Sequence, residues 1–139
     1  MKNKKDCPLC APKDRALKEN EHAYFMLSNP RKVPGHTLVI PKRHIEKPTD
    51  LTSEELISIF MLISHVEEKL LASIATGCDI RQHYQPYVME NKFKVDHVHF
   101  HVVPRTFEDE LYRISTMPEN ALFTELSKEE HDTITKLLN

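Results

Sequence analysis

Three histidines spaced by two, His97, His99 and His101, alternate with Val98, Phe100 and Val102. Period two marks a strand, so the spacing predicts one over His97–Val103, with imidazoles on one face and apolar side chains on the other. Same-face neighbours on a strand stand ~6.6–7 Å apart. Such a row is open to two chemistries. Metal binding is limited by geometry: with Zn–N bonds of ~2.0–2.1 Å, at most one or two rings of a row roughly 13 Å long can share one ion. Displacement at phosphorus suits the row better, because one ring can attack while its neighbours donate N–H to the non-bridging oxygens. An imidazole also changes charge near neutral pH, which lets it take or give a proton in turnover. The alternative without chemistry is three polar residues on the wet face of a half-buried strand.

A second reactive group is Cys7-Pro8-Leu9-Cys10. A CxxC pair serves zinc or redox chemistry. Redox use needs the pair to open a helix in a βαβ unit, and a polar arm containing proline supplies no such context. A zinc site, or two free thiols in a frayed tail, are the readings left. Cys78 has no neighbour at ligand spacing and reads as a small buried or semi-buried residue.

The chain has 139 residues, with 19 Lys+Arg against 21 Asp+Glu and a formal charge of −2. That length predicts a single domain over residues 1–139, with an arm over 1–20 and a C-terminal extension over 106–139. No long basic stripe is present, so nucleic acid is not an expected partner. No apolar run approaches the ~20 residues of a membrane span, and the start MKNKKDCPLC has no apolar core of a secretory signal. A cytoplasmic protein is expected. Glycine is scarce, with only Gly35 and Gly77, whereas histidine numbers nine. Two glycines so far apart cannot build a Gly-rich phosphate loop, so any phosphate must be held another way.

The elements that must position these residues are legible in part. His22–Leu27 and His36–Ile40 read as a hairpin, the first ended by Ser28-Asn29-Pro30 and the second by Pro41. Thr52 with Glu55 forms a capping box, and Leu56, Phe60, Ile63, Val66, Leu70 and Ile74 recur at helical spacing, so a helix is expected to about Ala75, stopped by Gly77. A further strand is expected around Pro86–Glu90. Ser127 with Glu130 opens a short C-terminal helix whose apolar side is Ile134, Leu137 and Leu138.

The run His97-Val98-His99-Phe100-His101-Val102-Val103 resembles the motif of the histidine triad (HIT) family, His-φ-His-φ-His-φ-φ with φ apolar. Pro34-Gly35-His36-Thr37-Leu38-Val39-Ile40-Pro41-Lys42-Arg43-His44 is similar to that family's upstream signature, with Asn29-Pro30 before it, and the resemblance spans about residues 7–105. It implies an α+β fold, a five-stranded antiparallel sheet with the long helix packed on one face, and a homodimer. It also implies a nucleotide hydrolase acting on dinucleoside polyphosphates or nucleoside phosphoramidates. Carried over by position, His99 attacks the α-phosphorus to form a nucleotidyl-histidine, His101 hydrogen-bonds the phosphate, and His36 faces the triad. His101, where the uridylyltransferase branch has Gln, favours the hydrolase side. Members with a CxxC arm imply a structural zinc held by Cys7, Cys10, His44 and His97. Three features depart from the family, one being that the segment from Asn29 to His36 is one residue longer. Leu27 stands where many members have an acid that binds ribose, which leaves Ser28 or Asn29 for that task. The segment Glu90–Asp96 replaces a Gly-rich loop and puts Lys94 where a hydroxyl assists the leaving group, either as a point charge for a phosphate-rich group or as part of an ordinary solvated turn. The alternatives are a zinc-stabilised nucleotide-binding module with little or no turnover, and a nucleotidyltransferase. Arg81, His83 and Tyr84 are candidates to line the pocket or to serve the core or a sheet edge. His22, His65 and His131 are assigned no function.

Overall fold

The computed structural model describes residues 4–139, in two compact units that divide between Phe107 and Glu108. The first unit is built on a five-stranded antiparallel sheet: β1 (Lys18–Glu19), β2 (Ala23–Leu27), β3 (Thr37–Pro41), β4 (Gly77–Gln82) and β5 (Phe100–Arg105), in the order β1-β2-β3-β5-β4. With the long helix α1 (Ser53–Leu71) packed on it, this is the expected α+β architecture. β2 and β3 form the expected hairpin, with Phe25 opposite Val39.

Three elements differ from expectation. β5 starts at Phe100 rather than His97, because the Val98 N–H donates to the Ile45 carbonyl (2.6 Å) and β3 pairs no earlier than Phe100, opposite Val39. It also runs on through Pro104 to Arg105. Beyond Val102 it has only β4 beside it, the edge condition under which a strand tolerates proline. The strand expected near Pro86–Glu90 is instead β4, upstream, with Asp79 opposite Val103; residues 83–99 form an irregular loop.

The capping box closes as expected. Thr52 Oγ1 accepts from the Glu55 N–H (3.2 Å), and Glu55 Oε2 accepts from the Thr52 N–H (2.9 Å). The buried stripe of α1 is Ile59, Leu62, Ile63 and Val66, while Leu56 and Phe60 are 40 % and 49 % exposed. Each fully buried aliphatic side chain contributes about 1.5–3 kcal/mol, so four in one row decide which way the helix faces. The helix ends at Leu71, short of Ala75. The Ser73 hydroxyl bonds the Lys69 carbonyl, and the N–H groups of Ser73, Ile74 and Ala75 turn back to Leu70, leaving Gly77 to open β4.

Register assigns the sheet its two faces, since directly paired residues share a face. Val39, Phe100 and Val102 lie on the α1 side; Leu38, opposite His101, lies on the other side with Tyr24, Met26 and Ile40. The arm packs on this second face. It is held there at several points: Cys7 and Leu9 are buried, the Tyr24 hydroxyl donates to the Leu9 carbonyl, and β1 pairs with β2. Gly35, with φ of 86°, lies under Ile74, Pro104 and Leu70, where a Cβ would approach Ile74 Cδ1 to 2.7 Å. Only glycine meets both the backbone angle and the space just before His36.

The second unit has a π-helical turn (Tyr112–Thr116) leading into α2 (Met117–Asn120), and then α3 (Lys128–Leu138), whose first turn is capped by Ser127 through the Glu130 N–H as expected. Among the described residues, no helix is long and apolar enough to cross a membrane.

Candidate functional site

The arm and the segment before β5 bring Cys7, Cys10, His44 and His97 together, with all four ligand atoms within 4.8 Å of one another. Cys7 Sγ and Cys10 Sγ each stand 3.5 Å from His97 Nδ1, and Cys10 Sγ stands 3.1 Å from His44 Nδ1. A tetrahedral zinc with Zn–S of ~2.3 Å and Zn–N of ~2.05 Å sets sulfur and nitrogen about 3.5 Å apart. Donor types and spacing therefore fit zinc. The outer partners fit too. His97 Nε2–H donates to the Pro41 carbonyl (2.8 Å) and His44 Nε2–H to Glu46 (3.3 Å), so each ring turns Nδ1 to the sulfurs. Burial pushes His97 down to about 4, keeping it the neutral imidazole a metal requires. Arg43, beside His44, forms a two-pronged ion pair with Glu55 (2.7 and 2.9 Å), which ties this segment to the start of α1.

The remaining triad residues form a row whose protons are assigned by their partners. His99 Nδ1 lies 2.7 Å from the His97 carbonyl, which can only accept, so Nδ1 carries the proton and Nε2 holds a free lone pair. The Lys32 backbone N–H donates to His36 Nδ1 (3.1 Å), which puts the His36 proton on Nε2 and directs it to His101 Nδ1 (2.8 Å). His101 must then carry its own proton on Nε2. The rings of His99 and His101 are 5.0 Å apart, with His83 5.5 Å from His101. Burial, helped by Lys32 and Arg81, lowers His36 to about 4; burial and then the neighbouring imidazoles lower His101 to about 3. Burial also lowers His99, against its bond to the His97 carbonyl. At neutral pH the row is uncharged, with one nucleophilic nitrogen next to one N–H donor.

His99 and His101 form the wall between two lobes. The smaller, of about 270 Å³, is lined by His83, Tyr84, Lys94, Asp96 and Glu46. The larger, of about 360 Å³, is lined by Ser28, Asn29, His36 and several basic residues. Ser28, Asn29 and His36 thus share one lobe, where Ser28 Oγ donates to the Pro30 carbonyl (2.8 Å). Lys94 lines the other, with its ammonium paired to Asp96 and donating to the Val88 carbonyl (2.6 Å). His83 and Tyr84 line the smaller lobe, whereas Arg81 pairs with Asp79 (2.7 Å). Sequence reasoning did not find Pro41 and Lys32, which act through backbone atoms and leave no side-chain signal. Glu46 did leave one: a carboxylate two residues beyond His44.

The HIT domain family model matches residues 11–108. The chain is 33 % identical over 102 residues to an asymmetrical bis(5'-nucleosyl)-tetraphosphatase of Schizosaccharomyces pombe, across 70 % of this chain and 50 % of that protein. It is 35 % identical over 80 residues to an adenosine 5'-monophosphoramidase of the same organism, across 54 % of this chain and 52 % of that protein. The chain spans about half the length of these two curated relatives. Among solved structures, a Zn-bound histidine triad family protein from Mycobacterium smegmatis matches with a TM-score of 0.67 at 28 % identity, over 78 % of this chain and 81 % of that one.

Proposed function

The chain belongs to the HIT family, and on that premise we propose that it is a nucleotide hydrolase, cleaving a phosphoanhydride or phosphoramidate bond through a nucleotidyl-histidine. The observation that carries this reading is the proton assignment of the row, which leaves a free Nε2 on His99 and an Nε2–H on His101, two rings that line the same cavities. His99 Nε2 attacks the α-phosphorus and the leaving group departs on the opposite side. Positive charge that grows on the imidazole is stabilised through its Nδ1–H by the His97 carbonyl. The His101 Nε2–H donates to a non-bridging oxygen, and His36 holds His101 in the donor tautomer. Water then displaces His99 from phosphorus and releases the nucleoside monophosphate. In this reading Ser28 and Asn29, which line the larger lobe, contact the sugar, and Lys94 reaches a leaving group only by loosening its hold on Asp96.

A structural zinc on Cys7, Cys10, His44 and His97 belongs to the same proposal, and its role is to pin the arm and the peptide of His97. So does the homodimer. It is supported by Leu56, Ile57, Phe60 and Met61, which leave an apolar strip exposed on α1, and by β4 at the edge of the sheet. Incubation with diadenosine polyphosphates and adenosine phosphoramidates, following AMP release, tests the activity. Tight AMP binding without turnover of any of them would replace the hydrolase with a binding module.

A further inference from the structure

Water that resolves a nucleotidyl-histidine must give up a proton as it attacks phosphorus. The titratable side chains around the smaller lobe narrow the choice of acceptor. Glu46 accepts from His44 (3.3 Å), and Lys94 and Asp96 hold each other. His97 has both nitrogens engaged, one by the Pro41 carbonyl and the other by the sulfurs. His99 is the attacking ring, and His101 is kept as a donor by His36. Two groups are left, His83 and Tyr84. Among the described residues, neither side chain makes a hydrogen bond or an ion pair. Of the two, the imidazole is the group that both takes and gives a proton near neutral pH.

Strand register brings His83 to the row. β4 sets Arg81 opposite His101 and Gln82 opposite Phe100, and its pairing ends one residue short of setting His83 opposite His99. Directly paired residues share a face, so Arg81 lies on the imidazole face and His83 follows at the same parity. Its ring centre is 5.5 Å from that of His101, with the planes at 62°. Gln82 Nε2 donates to the His83 carbonyl (2.8 Å), which holds the backbone just past the strand. The residue is exposed, so water reaches it from the solvent side. Partial burial, followed by Lys32 and Arg81, lowers it below the 6.5 of a free imidazole, and at neutral pH the ring is uncharged with one lone pair to offer. We propose that His83 is the general base of the second half-reaction, taking a proton from the water that attacks phosphorus. The bond from the water oxygen to phosphorus forms. The bond from phosphorus to His99 Nε2 breaks, its electron pair returning to Nε2, and the released proton passes to His83 and from there to solvent. The inference rests on the hydrolase reading, and gives to one side chain the step which that reading leaves to water alone.

Single-turnover kinetics on the full zinc-loaded chain test this step apart from the first one. The probes are diadenosine triphosphate and adenosine 5'-phosphoramidate labelled at the α-phosphorus, and an alkaline detergent quench reads the formation and decay of protein-bound label. His83→Gln keeps a hydrogen-bonding side chain but takes up no proton. Its bound label is expected to decay about 10²-fold more slowly than that of the wild type, with formation changed by less than about threefold, so that the covalent nucleotide accumulates. His83→Asn should behave alike. Both variants should keep the zinc content and unfolding midpoint of the wild type, because the exposed ring makes no hydrogen bond within the fold. His131→Gln on α3 should match the wild type throughout. Unchanged decay in His83→Gln overturns the assignment, as does a variant in which formation and decay slow together, and in both cases the hydrolase reading stands. A wild-type chain that neither acquires bound label nor releases AMP removes the hydrolase reading and this base with it.

Discussion

His97 and His99 lie two residues apart on one short segment, yet they belong to regions with opposite chemistry. In the Cys2His2 cluster, Nε2 of His97 is spent on the Pro41 carbonyl and Nδ1 turns to two sulfurs. In the reactive row, Nδ1 of His99 is spent on the His97 carbonyl and Nε2 is left with its lone pair. The role of each imidazole is thus assigned by which nitrogen its second hydrogen bond occupies. Their partners differ as well: two thiols and the His44 imidazole stand beside His97, and the His101 imidazole stands beside His99.

The largest separation of the two regions is expected from His99→Ala. AMP release should fall by about 10³-fold or more, while bound zinc per chain and the unfolding midpoint stay at wild-type values; unchanged kinetics would remove His99 as nucleophile. Cys7→Ser is the mirror experiment. Zinc per chain should drop and stability fall by several kcal/mol, because the arm loses both its metal and its buried anchor. Full zinc occupancy in that variant would mean that the arm is held by something else.

The pH dependence of stability sharpens the contrast from the side of the row. His36 and His101 titrate in the folded protein at about 4 and about 3, below the 6.5 of a free imidazole. Below pH 6.5 the unfolded chain takes up protons that the folded row refuses. Stability is therefore complete above pH 6.5 and falls as pH drops towards 4, by several kcal/mol. Urea midpoints at pH 7.5, 6, 5 and 4.5 read this, and the slope should flatten in His36→Asn/His101→Asn. An identical slope in that variant would place the acid sensitivity elsewhere. The smallest effect is expected from Glu46→Gln, which weakens the outer partner of His44. Zinc affinity should fall about tenfold with AMP release near wild type, and competition with a chelator measures it.

How much of this was legible beforehand depended on whether side chains or backbone carried the signal. The triad, the CxxC pair, the hairpin and the capping box all announce themselves through side-chain type at fixed spacing. The start of β5 does not: alternation from His97 onwards is the same whether Val98 pairs with β3 or with Ile45. The face of α1 was found in part: Ile63 and Val66 lie in the core and Leu70 packs against it, but Leu56 and Phe60 belong to a second, exposed apolar row beside Ile59, and periodicity cannot rank two adjoining rows. β4, with Cys78, Ile80 and Gln82 on one parity and charged residues on the other, gave a weaker pattern than the loop after it. In the site, the residues named from sequence fall into two clusters, whereas the carbonyls of Pro41 and His97 and the N–H of Lys32, which assign the protons of His97, His99 and His36, have no side-chain signature.

The Arg43–Glu55 pair has a consequence for how the molecule opens. Glu55 is at once the closing residue of the α1 capping box and the anchor of the segment that carries His44. The first turn of the helix and the segment of His44 therefore share one carboxylate and should behave as a single foldon. In native-state amide exchange, residues 42–46 and the start of α1 are expected to open with a common free energy, and a chelator should lower both together. Arg43→Met would uncouple them, letting the segment open while the helix stays closed.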